Sequence, residues 1–336
     1  MRRNILKNIV LFHVLANFLW TPSVVAEEIP SATELESLAG YRILFSSERS
    51  AQDTLSLFSM APDGSDVKQH VKISVNRRGE YEPSISRDGT KIAFTTYRYG
   101  GWKIAMADLD GGNVQRLTMD PQYAYDASWS PDGKRVVYRR IVNKGGAYFR
   151  GNGDIYAINV DGTNNINLTN ADDEHARNPA FSPDGKHIIY DAFIGDDLKI
   201  MLMEQDGRNS HAVPADGQYA FAPSWSPDGE WIAHLRQDSD GFVDVWRMKR
   251  DGTGAENLTK SKEEGFHAIG DSIQHWEYET HWSPEGNWIA FTADYEEKGN
   301  IDVYLVAVES GEITRLTRKK GTDTHPFWYQ TGKKRN

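Results

Sequence analysis

The sequence predicts an all-β fold, a six-bladed β-propeller of four-stranded antiparallel blades closed by a C-terminal innermost strand that joins the N-terminal blade. Three observations carry that expectation. One five-residue unit recurs at blade spacing, large aromatics hold one phase of the repeat, and the two ends of the chain contain complementary fragments of a blade.

The recurring unit is an apolar or aromatic residue, Ser, usually Pro, then Asp or Glu, then Gly. It occurs as Ile85-Ser86-Arg87-Asp88-Gly89, Trp129-Ser130-Pro131-Asp132-Gly133, Phe181-Ser182-Pro183-Asp184-Gly185, Trp225-Ser226-Pro227-Asp228-Gly229 and Trp282-Ser283-Pro284-Glu285-Gly286. Successive serines lie 44, 52, 44 and 57 residues apart. Pro fixes φ at the first corner of a turn, Asp bonds to backbone two residues on, and Gly accepts the positive φ that closes it.

Each turn feeds a short apolar strand, such as Lys91-Ile92-Ala93-Phe94 or Trp231-Ile232-Ala233-His234. A third strand follows and ends in a second turn, as in Asp154 to Ile158 before Asp161-Gly162. The fourth strand carries Arg116-Leu117-Thr118, Asn167-Leu168-Thr169, Asn257-Leu258-Thr259 or Arg315-Leu316-Thr317. Tyr41 to Ser46, Ser56 to Gly64 and Gln69 to Val71 match strands two to four without a preceding turn unit. His325-Pro326-Phe327-Trp328 matches an innermost strand with nothing of a blade after it. Together they complete a blade, and dividing one blade between the termini protects its edges.

Residues 1–26 have the form of an export signal. Arg2, Arg3 and Lys7 precede an apolar stretch from Ile9 to Trp20, and Val24-Val25-Ala26 supplies a small-residue cleavage site. The stretch is short for a membrane span. The expected organisation is a signal at 1–26, a short extension at 27–40, the propeller at 41–329 and a basic tail at 330–336. Removing the signal shifts the formal net charge from -10 to -13. That balance argues against nucleic acid, which requires a basic surface. Cysteine is absent, which excludes disulfides and a cysteine-linked lipid anchor. The expected location is the periplasm or the exterior, with no transmembrane anchor.

These turn units, the Asp-Gly turns and the Arg/Asn-Leu-Thr endings resemble the WD40-like propeller repeats of the TolB family. The resemblance covers roughly residues 41–329. Only about 14 residues separate Ala26 from Tyr41, so it implies a propeller without the α/β domain that precedes it in TolB. It also implies the cell envelope and a protein partner.

Strands alternate direction across a blade, so the Ser-Pro-Asp-Gly turns share one rim with the Asp-Gly turns. The long segments Arg139 to Gly153 and Lys260 to Glu279 fall on the other rim, which is the expected binding face. Three positions before each innermost aromatic lie Glu82, Asp126, Asn178, Ala222, Glu279 and His325. Repeat equivalence places them in a ring at a channel mouth, with Glu82, Asp126, Asn178, Glu279 and His325 as binding residues. Such a ring suits an envelope protein or peptide, and a divalent cation is the one cofactor it suggests. On the loop face Tyr148, Phe149, Arg150 and Trp276 are expected contacts. Tyr97, Tyr99, Phe242, Tyr278 and Tyr295 lie nearby, with Arg98 and Arg140 among them.

No nucleophile elbow or other catalytic constellation is evident, so recognition is expected rather than catalysis. The alternative is a metal-dependent polysaccharide lyase with a carbohydrate substrate. His267, His275 and His281, with Gln274, resemble in residue type the histidine and glutamine metal ligands of oligogalacturonate lyases. Asn167-Leu168-Thr169 and Asn257-Leu258-Thr259 fit a glycosylation pattern, but their repeat position explains them by fold.

Overall fold

The structure, a computed structural model, describes residues 38–49, 54–70, 78–141, 153–169, 175–214, 219–265 and 278–331. The expected signal, most of the 27–40 extension and residues 332–336 of the tail lie outside them. Among the described residues no helix is long and apolar enough to cross a membrane.

Each repeated turn is a hydrogen-bonded clasp. The Ser hydroxyl donates to the Asp carboxylate two residues on, at 2.7 Å for Ser86–Asp88 and 2.6 Å for both Ser130–Asp132 and Ser182–Asp184. The same hydroxyl oxygen accepts the N–H of the residue opening the next strand, at 2.9 Å from Arg135 and 3.0 Å from His187. The Asp also accepts the N–H two positions further, 3.1 Å from Lys134. Gly133 and Gly185 close their turns at φ of +69° and +71°. The motif therefore starts a strand by satisfying backbone donors that the turn leaves open.

The strands, in chain order, are β1 (Tyr41–Ser47), β2 (Ser56–Met60), β3 (Lys68–Gln69), β4 (Glu80–Ile85), β5 (Lys91–Thr96), β6 (Lys103–Asp108), β7 (Gln115–Arg116), β8 (Ala124–Trp129), β9 (Arg135–Ile141), β10 (Gly153–Asn159), β11 (Ile166–Asn167) and β12 (His175–Phe181). They continue as β13 (His187–Ile194), β14 (Asp197–Glu204), β15 (His211–Ala212), β16 (Tyr219–Trp225), β17 (Trp231–Gln237), β18 (Val243–Lys249), β19 (Glu256–Asn257), β20 (Thr280–Trp282), β21 (Trp288–Ala293), β22 (Asp302–Ala307), β23 (Ile313–Arg315) and β24 (Asp323–Gln330).

The expectation of six separate four-stranded blades, in a six-bladed TolB-like ring, is corrected by the hydrogen bonding. Four four-stranded sheets stand apart: β24-β1-β2-β3, β4-β5-β6-β7, β8-β9-β10-β11 and β20-β21-β22-β23. The strands from β12 to β19 form one eight-stranded sheet instead. A parallel contact at Leu198↔Tyr219, near the starts of β14 and β16, joins two repeat units across the boundary that the turn motif marks. No sheet curls round on itself. The chain ends meet within one open sheet, where β24 pairs antiparallel to β1 from Tyr41↔Gln330 to Ser47↔Asp323.

Apolar clusters fill the junctions between sheets. Trp129 packs with Ala93, Ile104, Val136 and Tyr138, and Trp225 with Ile189, Ile200, Ile232 and Met248. Ile43, Phe45 and Trp328 meet Trp288, Val303 and Leu305 where the first and last units touch. The Trp129 indole N–H also donates to Ser84 O of the preceding sheet at 3.1 Å, so the repeat aromatic joins sheets by packing and by hydrogen bonding.

The Arg/Asn-Leu-Thr endings hold the third strand. Asn257 Nδ2 donates to Asp244 Oδ2 at 2.8 Å, and Thr259 Oγ1 donates to Asp244 Oδ1 at 2.8 Å while accepting Val245 N–H at 3.0 Å. Arg315 and Thr317 hold Asp302 in the same way, at 2.7 and 3.0 Å. Asn167 Nδ2 is committed to Asp154 at 2.8 Å. The intervening Leu168, Leu258 and Leu316 are buried.

Candidate functional site at the axial bulges

The innermost strands share a backbone irregularity. Pairing slips between Tyr81 and Ser84, Tyr125 and Ser128, Arg177 and Ala180, and Phe221 and Ser224. β1 opposite β24 slips likewise. At each bulge one residue is left-handed: Glu82 at φ 50°, Asp126 at 56°, Asn178 at 51°, Ala222 at 51° and His325 at 54°. Five of the six ring positions expected from the sequence are thus bulge residues. Glu279 differs. It precedes β20, which pairs without a register shift, and is not left-handed.

Side chains at these positions connect one sheet to the next. Glu82 Oε2 accepts the N–H of Asp126 at 2.8 Å and the Thr95 hydroxyl at 2.6 Å. Asp126 Oδ2 accepts the N–H of Asn178 at 3.3 Å. The Asn178 amide donates instead, to Asp191 Oδ2 at 2.7 Å, and that same oxygen accepts the N–H of Ala222 at 2.9 Å. Asp191 is fully buried and paired with Arg177 at 2.7 Å. Ala222 O then accepts the Thr280 hydroxyl at 3.0 Å. The series continues to Glu279 and His325, whose Oε1 and Nε2 lie 3.6 Å apart.

Burial and mutual repulsion decide the charge state of this ring. Burial first, and Asp126 second, push Glu82 up to about 8. Glu279 is also raised well above the carboxylate range, by burial and then by Glu82, Asp126 and Asp191. Glu82, Asp126 and Asp191 come from three different sheets, and all three act on Glu279. The Glu279 side chain keeps 26% of its surface exposed, against 1% for His325. Glu279 is the acid of this group whose side chain is not tied to a neighbouring bulge amide.

Among the described residues no group of three or more His, Cys, Asp or Glu side chains is arranged to hold a metal ion. Of the histidines expected to converge, His267 and His275 lie outside the described residues, as does Gln274. His281 packs tilted against Phe327 with centroids 3.9 Å apart, its Nδ1 3.1 Å from Trp282 O. Burial drives it down to about 4, leaving it neutral.

Of the expected loop-face contacts, Tyr148, Phe149, Arg150 and Trp276 lie outside the described residues. Tyr278 and Tyr295 are core residues, buried with Trp282 and Phe291. Arg98 is bound to buried Glu80 at 2.8 Å, and Arg140 to Gln122 at 2.7 Å. Two features escaped the sequence reading. Asp191 occupies the fifth position of its second strand, where other units have Thr95, Arg139 and Thr292, residues that also reach the innermost strand. An aromatic group forms on the loop rim from Tyr81, Tyr97, Trp102 and Tyr125, two of which immediately precede ring acids.

No family model matches the chain. A TolB homolog from Chlorobium luteolum is 30% identical over 233 residues, which are 68% of this chain and 49% of that protein. The chain thus spans about half the length of that relative. The crystal structure of TolB from Acinetobacter baumannii superposes with a TM-score of 0.70 at 20% identity, covering 87% of this chain and 67% of the other. The fold is that of a TolB-like propeller. An oligogalacturonate lyase in complex with manganese is similar too, with a TM-score of 0.55 at 13% identity over 82% of this chain and 74% of the other. At such identities the likeness concerns the fold alone.

Proposed function

We propose that the chain is a non-catalytic recognition module of the cell envelope, exported to the periplasm, that takes a protein or peptide segment across the loop rim and the axial acids. The observation that carries this reading is Glu279. Glu82, Asp126 and Asp191 spend oxygens on backbone amides of the next unit, whereas Glu279 holds a partly exposed carboxylate beside His325. A partner ammonium or guanidinium would relieve the repulsion among the four acids. The similarity to TolB proteins and the signal-like residues 1–26 support the envelope location.

The test is affinity capture from an envelope extract with the wild type and Glu279→Gln, a change that removes the acid, and with it the capacity to ionise against a partner cation, without touching a bulge. Partner recovery is expected to fall at least tenfold in the variant. Equal recovery would remove the axial acids from the binding role. The lyase reading has no comparable observation behind it, since His267, His275 and Gln274 lie outside the described residues and His281 is packed against Phe327.

A further inference from the structure

Trp102 stands apart from the repeat tryptophans. Trp129 and Trp225 are buried and donate their indole N–H to a carbonyl of the preceding sheet, Ser84 O and Ala180 O. Trp102 is half-buried, and among the described residues its indole N–H has no hydrogen-bond acceptor. It lies on the loop rim, between the Tyr97–Gly100 turn and β6. Tyr81 and Tyr97 stand edge-on to it at 4.9 and 5.1 Å, with interplanar angles of 77° and 75°. Tyr125 lies tilted at 6.0 Å.

The cations around this group are distributed unevenly. Arg78 sits 4.7 Å over Tyr97 and Arg139 5.9 Å over Tyr125. Trp231 and Trp246 elsewhere are also covered by the chain's own arginines. Among the described residues no such cation lies over Trp102. Its tyrosine neighbours are therefore poor sites for a ligand cation, which would meet Arg78 or Arg139. The indole remains available to a neutral, CH-rich group that brings a hydrogen-bond acceptor. A proline ring followed by its carbonyl has that chemistry, and aromatic-lined surfaces read polyproline II segments in this way because the segment is already ordered.

We propose that Trp102, Tyr81, Tyr97 and Tyr125 form a docking platform for a proline-containing extended segment of a partner protein, with a Lys or Arg of that segment directed to the axial acids. Charge complementarity sets the second half. Tyr81 adjoins Glu82 and Tyr125 adjoins Asp126 in the chain, so the platform lies immediately outside the acidic ring, and the mature chain is strongly acidic. This inference rests on the recognition role proposed above and names the partner chemistry for that face.

Calorimetric titration of the full mature chain tests it with capped peptides of roughly nine residues, three turns of polyproline II. The probes are Pro-Pro-Lys repeats, Pro-Pro-Glu repeats, Gly-Ser-Lys repeats and a neutral cello-oligosaccharide. The Pro-Pro-Lys peptide is expected to bind at least tenfold more tightly than either other peptide. Trp102→Ala should weaken it at least tenfold. Trp102→Phe, which keeps a ring but loses the N–H, should weaken it three- to tenfold and serves as the readout should the alanine variant unfold. Equal binding of the Gly-Ser-Lys peptide would reduce the effect to charge and overturn the platform. Binding of the oligosaccharide alone, no binding of any probe, or wild-type affinity in Trp102→Phe would each overturn it as well. If Glu279-dependent capture from the extract succeeds while these peptides fail, the recognition role stands and the proline chemistry falls.

Discussion

The two rims of this propeller use repetition differently. On the turn rim the same side chains recur, and each Ser-Asp clasp is local, made within five residues. On the loop rim the backbone recurs but the side chains do not: Glu82, Asp126, Asn178, Ala222 and His325 share one left-handed bulge with four different chemistries. The turn rim satisfies itself, whereas the bulges are satisfied by the neighbouring sheet. At Asn178 the bulge side chain donates, and Asp191 on the adjacent strand is the acceptor for the next amide. Backbone demand is thus the repeated quantity, and the residue meeting it is free to vary.

The contrast predicts unequal costs. Asp191→Ala should be the most damaging, because it leaves the Arg177 guanidinium, the Asn178 amide and the Ala222 N–H without their shared acceptor. A loss of about 3–5 kcal/mol in urea unfolding is expected. Ser226→Ala on the turn rim removes one local clasp and should cost about 1–2 kcal/mol. Equal costs would mean that the inter-sheet relay carries no more than a turn does.

A third effect concerns pH. Glu82 is raised in the folded chain, so its contribution is complete below the ordinary carboxylate range and is lost as pH rises through about 8. Between pH 5 and 8 the wild type should lose on the order of 1–3 kcal/mol through this group. Glu82→Gln should flatten that part of the profile, with Glu279 still contributing. An unchanged slope would show that Glu82 is ionised throughout.

The turn rim was almost wholly legible in the sequence, since Ser, Asp and Gly act over a few residues and reveal themselves by spacing. The innermost positions were legible as positions, and Glu82, Asp126, Asn178 and His325 do occupy equivalent bulges. Their partners were not. Whether Glu82 faces solvent or the N–H of Asp126 depends on how two sheets abut, which periodicity within one unit does not encode. The same limit explains the eight-stranded sheet, for the Leu198↔Tyr219 pair joins units that the turn motif treats as separate. Tyr278 and Tyr295 were expected at the surface because they flank a long segment, yet packing of neighbouring strands encloses them.

The pairing of β24 with β1 also bears on how the chain reaches its fold. Ser47 and Asp323, hydrogen-bonded partners in that sheet, are 276 residues apart in sequence. During synthesis the first three strands emerge without the strand that covers β1, and that edge stays open until nearly the whole chain has followed. Contacts of such long range form late and slowly. The most exposed moment in the life of this protein is therefore its arrival, when a finished strand edge waits for the last residues to be delivered.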